Sequence, residues 1–372
     1  MKKFLLMAAV GTMMFSACSN DDNLSEIASN GEARPVELSM DFTVSSGAET
    51  RAGRPLYSSE ALQRVNDLQL YIFKDGKFEK SEKIEAFNNQ TNQGDESHTY
   101  KFTPQLENGQ YQFLAVGFEE AEAYKTLNFT KGTTTLDDAA LELNDGKDAA
   151  EVFAGVSAQH MVSDDTKSLT ASVTLDRTVA GVLGYFKNIP YEVAKDDAMK
   201  RVMKVCVELI NKGTAANLKN NTTKSNAGTA YKMLTIDLTN ETKADDGNYY
   251  KKDANSANPA TVANSFLAGG YVLPFNKTVG QPTFKVVLYG DGDVALKTYK
   301  VQVEGSTDTE LDVLANHFYS LGHKSKDDST EGGGGEEDKD DPIDLSKDQV
   351  ITITVNADWE TIHDLELGDE VQ

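Results

Sequence analysis

Apolar and polar side chains alternate along most of this chain, with the period of a strand that buries one face. Leu68-Gln69-Leu70-Tyr71-Ile72-Phe73 runs into Lys74-Asp75-Gly76-Lys77, and Phe78 restarts the pattern. An Asp-Gly pair between two such runs predicts a β-hairpin, because both residues tolerate the positive φ that a tight hairpin turn needs. Similar stretches at 110–118, 151–156, 168–175, 179–186, 202–210, 231–238, 266–274, 283–289, 297–303 and 317–321 read as further strands. Helical periodicity is weak, and only 119–127 and 137–143 read as short helices. Many short strands separated by Gly, Asn and Asp clusters imply a mainly β protein made of β-sandwiches.

The amino terminus is read apart from the fold. Lys2 and Lys3 precede the apolar stretch 4–15, and Ser16-Ala17 lead into Cys18. This is a signal peptide, and its apolar run is too short to span a bilayer, which takes roughly 20 residues. Phe15-Ser16-Ala17-Cys18 resembles a lipobox, so Cys18 is the expected lipidation site; an ordinary secretory leader with an incidental cysteine is the alternative. Two or more acyl chains would hold the precursor firmly in an outer membrane. The tract Ser19-Asn20-Asp21-Asp22 resembles a surface-export signal of Gram-negative lipoproteins. The one other cysteine, Cys206, sits in an apolar run and reads as a buried small hydrophobe.

After the leader about 350 residues remain, enough for two domains of ordinary size. The boundary is placed near Arg177, between two strand groups of similar length. The expected organisation is 1–17 signal peptide, 18–51 propeptide with the first strand, 52–177 and 178–323 two sandwich domains, 324–342 linker and 343–372 terminal strand region. A formal charge of −23 argues against nucleic acid or anionic membrane as partners.

No enzyme is expected. None of the five histidines, His98, His160, His317, His323 and His363, stands in a metal-ligand spacing. There is no Gly-x-Ser-x-Gly elbow and no phosphate-binding glycine loop. Gly290-Asp291-Gly292-Asp293 lacks the remaining ligands of a calcium loop and reads as a hairpin turn. Catalytic, cofactor and metal sites are therefore all expected to be absent.

Two strands stand apart. Val36, Leu38, Met40, Phe42 and Val44 alternate with polar residues near the start, as do Ile351, Ile353, Val355, Ala357 and Trp359 near the end. Each would be roughly 30 Å long at ~3.3 Å per residue. The first is followed by the small, polar segment 45–55. The second follows 324–342, an acidic Gly-rich tract without a large apolar side chain, read as a flexible linker that separates the last strand from its own core. The two are either ordinary edge strands, one for each domain, or alternative occupants of equivalent grooves in different copies. Arg51 and Arg54 lie in the first joint, and cutting after Arg51 would release the first strand and leave a hydrophobic groove between two strand edges. Refilling it with five apolar side chains would return roughly 7–15 kcal/mol before ordering costs.

These features together resemble the fimbrillin family, the type V pilins of Gram-negative anaerobes. The resemblance rests on the lipobox at Cys18, Glu49-Thr50-Arg51-Ala52, the segment 65–73 with Asp75-Gly76, and Asn108-Gly109-Gln110-Tyr111. It continues through Asp176-Arg177-Thr178-Val179-Ala180, Tyr271-Val272-Leu273-Pro274, Asn316-His317-Phe318-Tyr319 and the closing strand at Trp359. It implies two tandem transthyretin-like β-sandwich domains with a carboxy-terminal donor strand. It further implies cleavage by an Arg-specific protease between Arg51 and Ala52, with Arg54 disfavoured by Pro55. The removable strand would carry Val36, Leu38, Met40, Phe42 and Val44, and the donor Ile351, Ile353, Val355 and Trp359. Expected partners are other copies and related pilus subunits, the protease, surface receptors on host or bacterial cells, and the outer membrane through the precursor lipid. The expected role is adhesion and biofilm formation at the cell surface, and the tail favours a stalk over an anchor position. A lipid-anchored surface protein that binds glycan is the alternative, although the chain has a single tryptophan, Trp359, for an aromatic platform.

Overall fold

A computed structural model describes residues 32–44, 65, 67–84, 97–226, 231–251, 261–324 and 340–356. Within these the fold is built of strands, with three single-turn 3₁₀ helices and no α-helix. The expected helices at 119–127 and 137–143 are instead 3₁₀ turns at Ala121–Ala123 and Leu136–Asp138, followed by a short strand at Ala140–Glu142. Their apolar residues serve as a lid over a sheet, which needs no helical period.

The main path of the first, eight-stranded sheet comprises β1 (Glu37–Val44), β2 (Asp67–Lys74), β3 (Lys77–Ile84), β4 (Ser97–Phe102), β5 (Gly109–Phe118), β6 (Val152–Val156) and β7 (Ser168–Arg177), with His160–Val162 paired to β5 beside it. Their order is β3-β2-β5-β6-β7-β1-β4. The β2–β3 turn has positive φ at both Asp75 and Gly76, as the Asp-Gly pair predicts. β6 and β7 pair only through Asp176 and Arg177, so the sheet folds over there into two layers. Leu68, Leu70, Ile72 and Phe113 of one layer pack against Leu38, Met40, Phe42, Val173 and Leu175 of the other.

The main path of the second, nine-stranded sheet comprises β8 (Ala180–Lys187), β9 (Lys204–Leu209), β10 (Tyr231–Asp237), β11 (Ser265–Val272), β12 (Phe284–Tyr289), β13 (Ala295–Val303), β14 (Phe318–Leu321) and β15 (Ile351–Asn356), with Ile343–Asp344 paired to β8 beside it. Their order is β10-β9-β12-β13-β15-β14-β8-β11. The two ends of this sheet approach each other, since a Cβ on Gly270 of β11 would lie 2.9 Å from Met233 Cε of β10. The curled sheet encloses a core of Val205, Val207, Phe284, Val286, Tyr299 and Tyr319. Sheet membership changes between Arg177, the last residue of β7, and Ala180, the first of β8.

A third core joins the halves. Tyr71, Phe73, Leu114 and Val116, on the outer face of β2 and β5, are covered by residues 123–143 and by Val179, Ala216, Leu218 and Leu273. Both faces of these two strands are therefore buried, which accounts for the unbroken apolar runs at 70–73 and 113–116.

Candidate assembly site

β1 lies in the interior of its sheet. It runs parallel to β7, with Leu38 opposite Leu169 and Phe42 opposite Val173, and antiparallel to β4, with Met40 opposite Tyr100. Val36, Leu38, Met40 and Phe42 are each 0% exposed. Glu37 points to solvent, and Asp41 on the same face accepts a hydrogen bond from Thr99 Oγ1 at 2.6 Å. The entry to the strand is held by Arg34, which pairs with Asp164 at 3.5 Å and donates to the Ser163 carbonyl. Withdrawal of β1 would separate β7 from β4 and open an apolar groove flanked by one parallel and one antiparallel edge.

β15 also has one parallel and one antiparallel neighbour. Ile351 to Ile353 pair with Val301 to Val303 of β13, and Thr354 to Asn356 pair with Phe318 to Ser320 of β14. The strand thus stitches two stretches of its own sheet together. Ile351 and Ile353 are buried in the second core, Val355 packs against it, and Thr352 and Thr354 face outward. The expectation that this strand stands off its own core is not met. The reason lies in the residues before it: Leu345 is buried in the same core, its amide donates to the Lys187 carbonyl at 3.0 Å, and Asn188 donates to Asp344 Oδ2 at 3.1 Å. Neither β1 nor β15 is an edge strand, and their positions differ topologically: β1 is the first strand of its half, a place β8 occupies in the other.

The sequence model of the family described as "Fimbrillin-A associated anchor proteins Mfa1 and Mfa2" matches residues 32–364. The chain belongs to this fimbrial anchor family. No curated protein matches it. Among solved structures, the fimbrial anchor protein Mfa2 of Porphyromonas gingivalis is 12% identical with a TM-score of 0.43, over 87% of this chain and 98% of that one. A fimbrilin of the same organism is likewise 12% identical with a TM-score of 0.43, over 86% of this chain and 96% of that one. The family match covers both halves and both special strands. Its description is that of anchor proteins, whereas the tail had favoured a stalk position.

Cys18, Arg51, Ala52 and Trp359 of this fimbrial protein lie outside the described residues, as do 325–339 of the expected linker. The ends of that linker are described and are held together. His323 and Asp341 exchange backbone hydrogen bonds of 3.0 and 2.8 Å. Beside them, Lys324 Nζ lies 3.1 Å from Asp340 Oδ1, with both side chains withdrawn from water. Gly322 allows this closure: its φ is +89°, and a Cβ there would lie 2.5 Å from the Tyr185 carbonyl oxygen.

A second buried ion pair marks the junction of the halves. Arg177 Nε donates to Glu151 Oε1 at 2.9 Å, Arg177 Nη1 donates to Asn316 Oδ1 at 3.3 Å, and the guanidinium lies over the Phe153 ring. Sequence reasoning noticed Arg177 as a boundary but not as a clamp; a charge at the inward end of an alternating strand was the available signal. The Asp291–Asp293 turn joins β12 to β13, and Asp293 binds the ammonium groups of Lys204 and Lys232 at 2.9 and 3.1 Å. Among the described residues no group of three or more His, Cys, Asp or Glu side chains is arranged to hold a metal ion.

Proposed function

We propose that this chain is a structural subunit of a surface fimbria that joins its neighbours by exchanging a β-strand once β1 has been removed. The observation that carries this reading is the position of β1. It is an interior strand with three fully buried apolar side chains, a fourth at Val36 just before it, and it joins the rest of its sheet through residues 45–64, which contain Arg51. Cleavage between Arg51 and Ala52 would free the strand together with a precursor lipid on Cys18. The groove would accept an alternating apolar strand from a second copy, with Ile351, Ile353, Val355 and Trp359 as its anchors. Donation requires β15 to leave its own sheet, so exchange trades one groove for another and its net gain is smaller than the burial of one strand.

The anchored alternative draws on β15 itself. A subunit whose last strand stays in its own second sheet donates nothing, and if it also keeps its lipid it ends a fibre at the membrane. The anchor family to which the chain belongs favours this form. The test that separates the two is the amino-terminal residue of the surface protein. Exchange expects Ala52, with accumulation of precursor in Arg51→Ala; recovery of acylated Cys18 as the sole mature terminus sinks the exchange reading and leaves the anchor.

A further inference from the structure

We propose that Lys324 and Asp340 are joined by an intramolecular isopeptide bond. Lys324 Nζ lies 3.1 Å from Asp340 Oδ1, and the two side chains are 1% and 0% exposed. The other ion pairs described here differ in one of two ways. Arg177–Glu151 is equally buried, but a guanidinium is not a usable nucleophile. The remaining lysine pairs are open to water on at least one partner, where the ammonium stays hydrated. A lysine and a carboxyl group held in contact away from water can condense to an amide, and the amide buries no charge.

The third component is Tyr185, on β8. Its hydroxyl donates to Asp340 Oδ2 at 2.9 Å. The Tyr185 hydroxyl oxygen accepts from the Val262 amide at 3.1 Å and from Ser265 Oγ at 3.3 Å, which leaves the phenolic proton directed at the carboxyl. Burial and the nearby Asp340 charge push the tyrosine pKa well above its ordinary value, so it remains a proton donor at any physiological pH. A donor fixed on the carboxyl oxygen stabilises negative charge that develops there during attack at the carbon.

The step balances as a condensation. A proton passes from the Lys324 ammonium to Asp340 Oδ1, giving an amine and a carboxylic acid. The nitrogen lone pair attacks Cγ, and the charge that builds on Oδ2 is held by the Tyr185 hydroxyl. The second nitrogen proton moves to Oδ1, the Cγ–Oδ1 bond breaks, and one water leaves as the amide forms. No oxidant, metal or co-reactant is needed. The bond would bridge residues 325–339, so the terminal strand would stay attached even if that acidic segment were cut.

The experiment is peptide mapping of the purified full chain by mass spectrometry after digestion with trypsin. The expected result is a branched peptide holding Lys324 and Asp340 together across cleaved Lys326 and Lys339, 18 Da lighter than the sum of its two linear parts. Lys324→Arg, which preserves the ion pair, should yield only unlinked peptides. Asp340→Asn should still link, with loss of 17 Da as ammonia leaves in place of water. Tyr185→Phe should slow linkage at least tenfold in time courses of freshly refolded protein. Unlinked Lys324 and Asp340 peptides from wild-type protein after prolonged incubation at neutral pH would overturn the proposal.

Discussion

Ile353 shows how much one position can carry. It is 0% exposed, in a core shared with Val301, Tyr319 and Leu321. Ile353→Asp removes a buried side chain and introduces an unpaired charge, which should cost about 3–5 kcal/mol. Thermal melting of the second half should fall by roughly 10 °C. Asp344, nearby in sequence, sets an acid limit. Burial alone would raise its pKa, but hydrogen bonds from Ser346 and Asn188 outweigh that and hold it below the ordinary carboxylate value. A lowered carboxylate contributes stability that is complete above an unfolded value of about 4 and disappears as pH falls through the lower folded value. Loss of the Asn188 bond should therefore move the acid-unfolding midpoint to higher pH. Asn188 has a φ of 50°, so Asn188→Gly makes the change without backbone strain, and an acid titration followed by circular dichroism reads it.

Strands behave differently from residues, because each one also satisfies the edges of its neighbours. Deleting 347–372 removes Ile351 and Ile353 and leaves facing edges of β13 and β14 unpaired. The truncated chain should melt at least 10 °C lower in its second half, and a synthetic peptide of residues 350–357 should recover much of the loss. Unchanged melting would mean that β15 contributes no more than a surface strand. In mixtures with full-length cleaved protein, the truncated chain accepts a strand but gives none, so the exchange reading expects shorter ladders on unboiled denaturing gels.

Across the whole molecule, the two halves are coupled rather than merely tethered. Arg177 bridges Glu151, which precedes β6 of the first sheet, and Asn316, which precedes β14 of the second, and the third core packs side chains of both halves together. Arg177→Met leaves the Glu151 carboxylate buried without its guanidinium, a change worth about 3–5 kcal/mol. Calorimetry should then show the two halves unfolding further apart in temperature than in the native chain, and an unchanged profile would show that the clamp does not couple the halves.

Local chemistry was enough to specify most strands of the two large sheets, though not β4, whose residues 97–102 were not among the expected strands. Alternation at 36–44 and 168–175, the Asp75-Gly76 turn and the order of short motifs led to a mainly β fold and to the fimbrillin family, because a period of two and a positive φ are properties of neighbouring residues. The same reasoning failed at 119–127 and 137–143, where apolar residues suggested helices and instead help cover the outer face of β2 and β5. It failed again at the carboxy terminus, where an acidic tract suggested a detached tail while Leu345, Ile351 and Ile353 close the second core. Those outcomes depend on which distant surfaces meet. Pairing of Lys324 with Asp340, of Arg177 with Asn316 and of β15 with β13 and β14 joins positions far apart in the chain, and only the folded molecule brings their partners within reach.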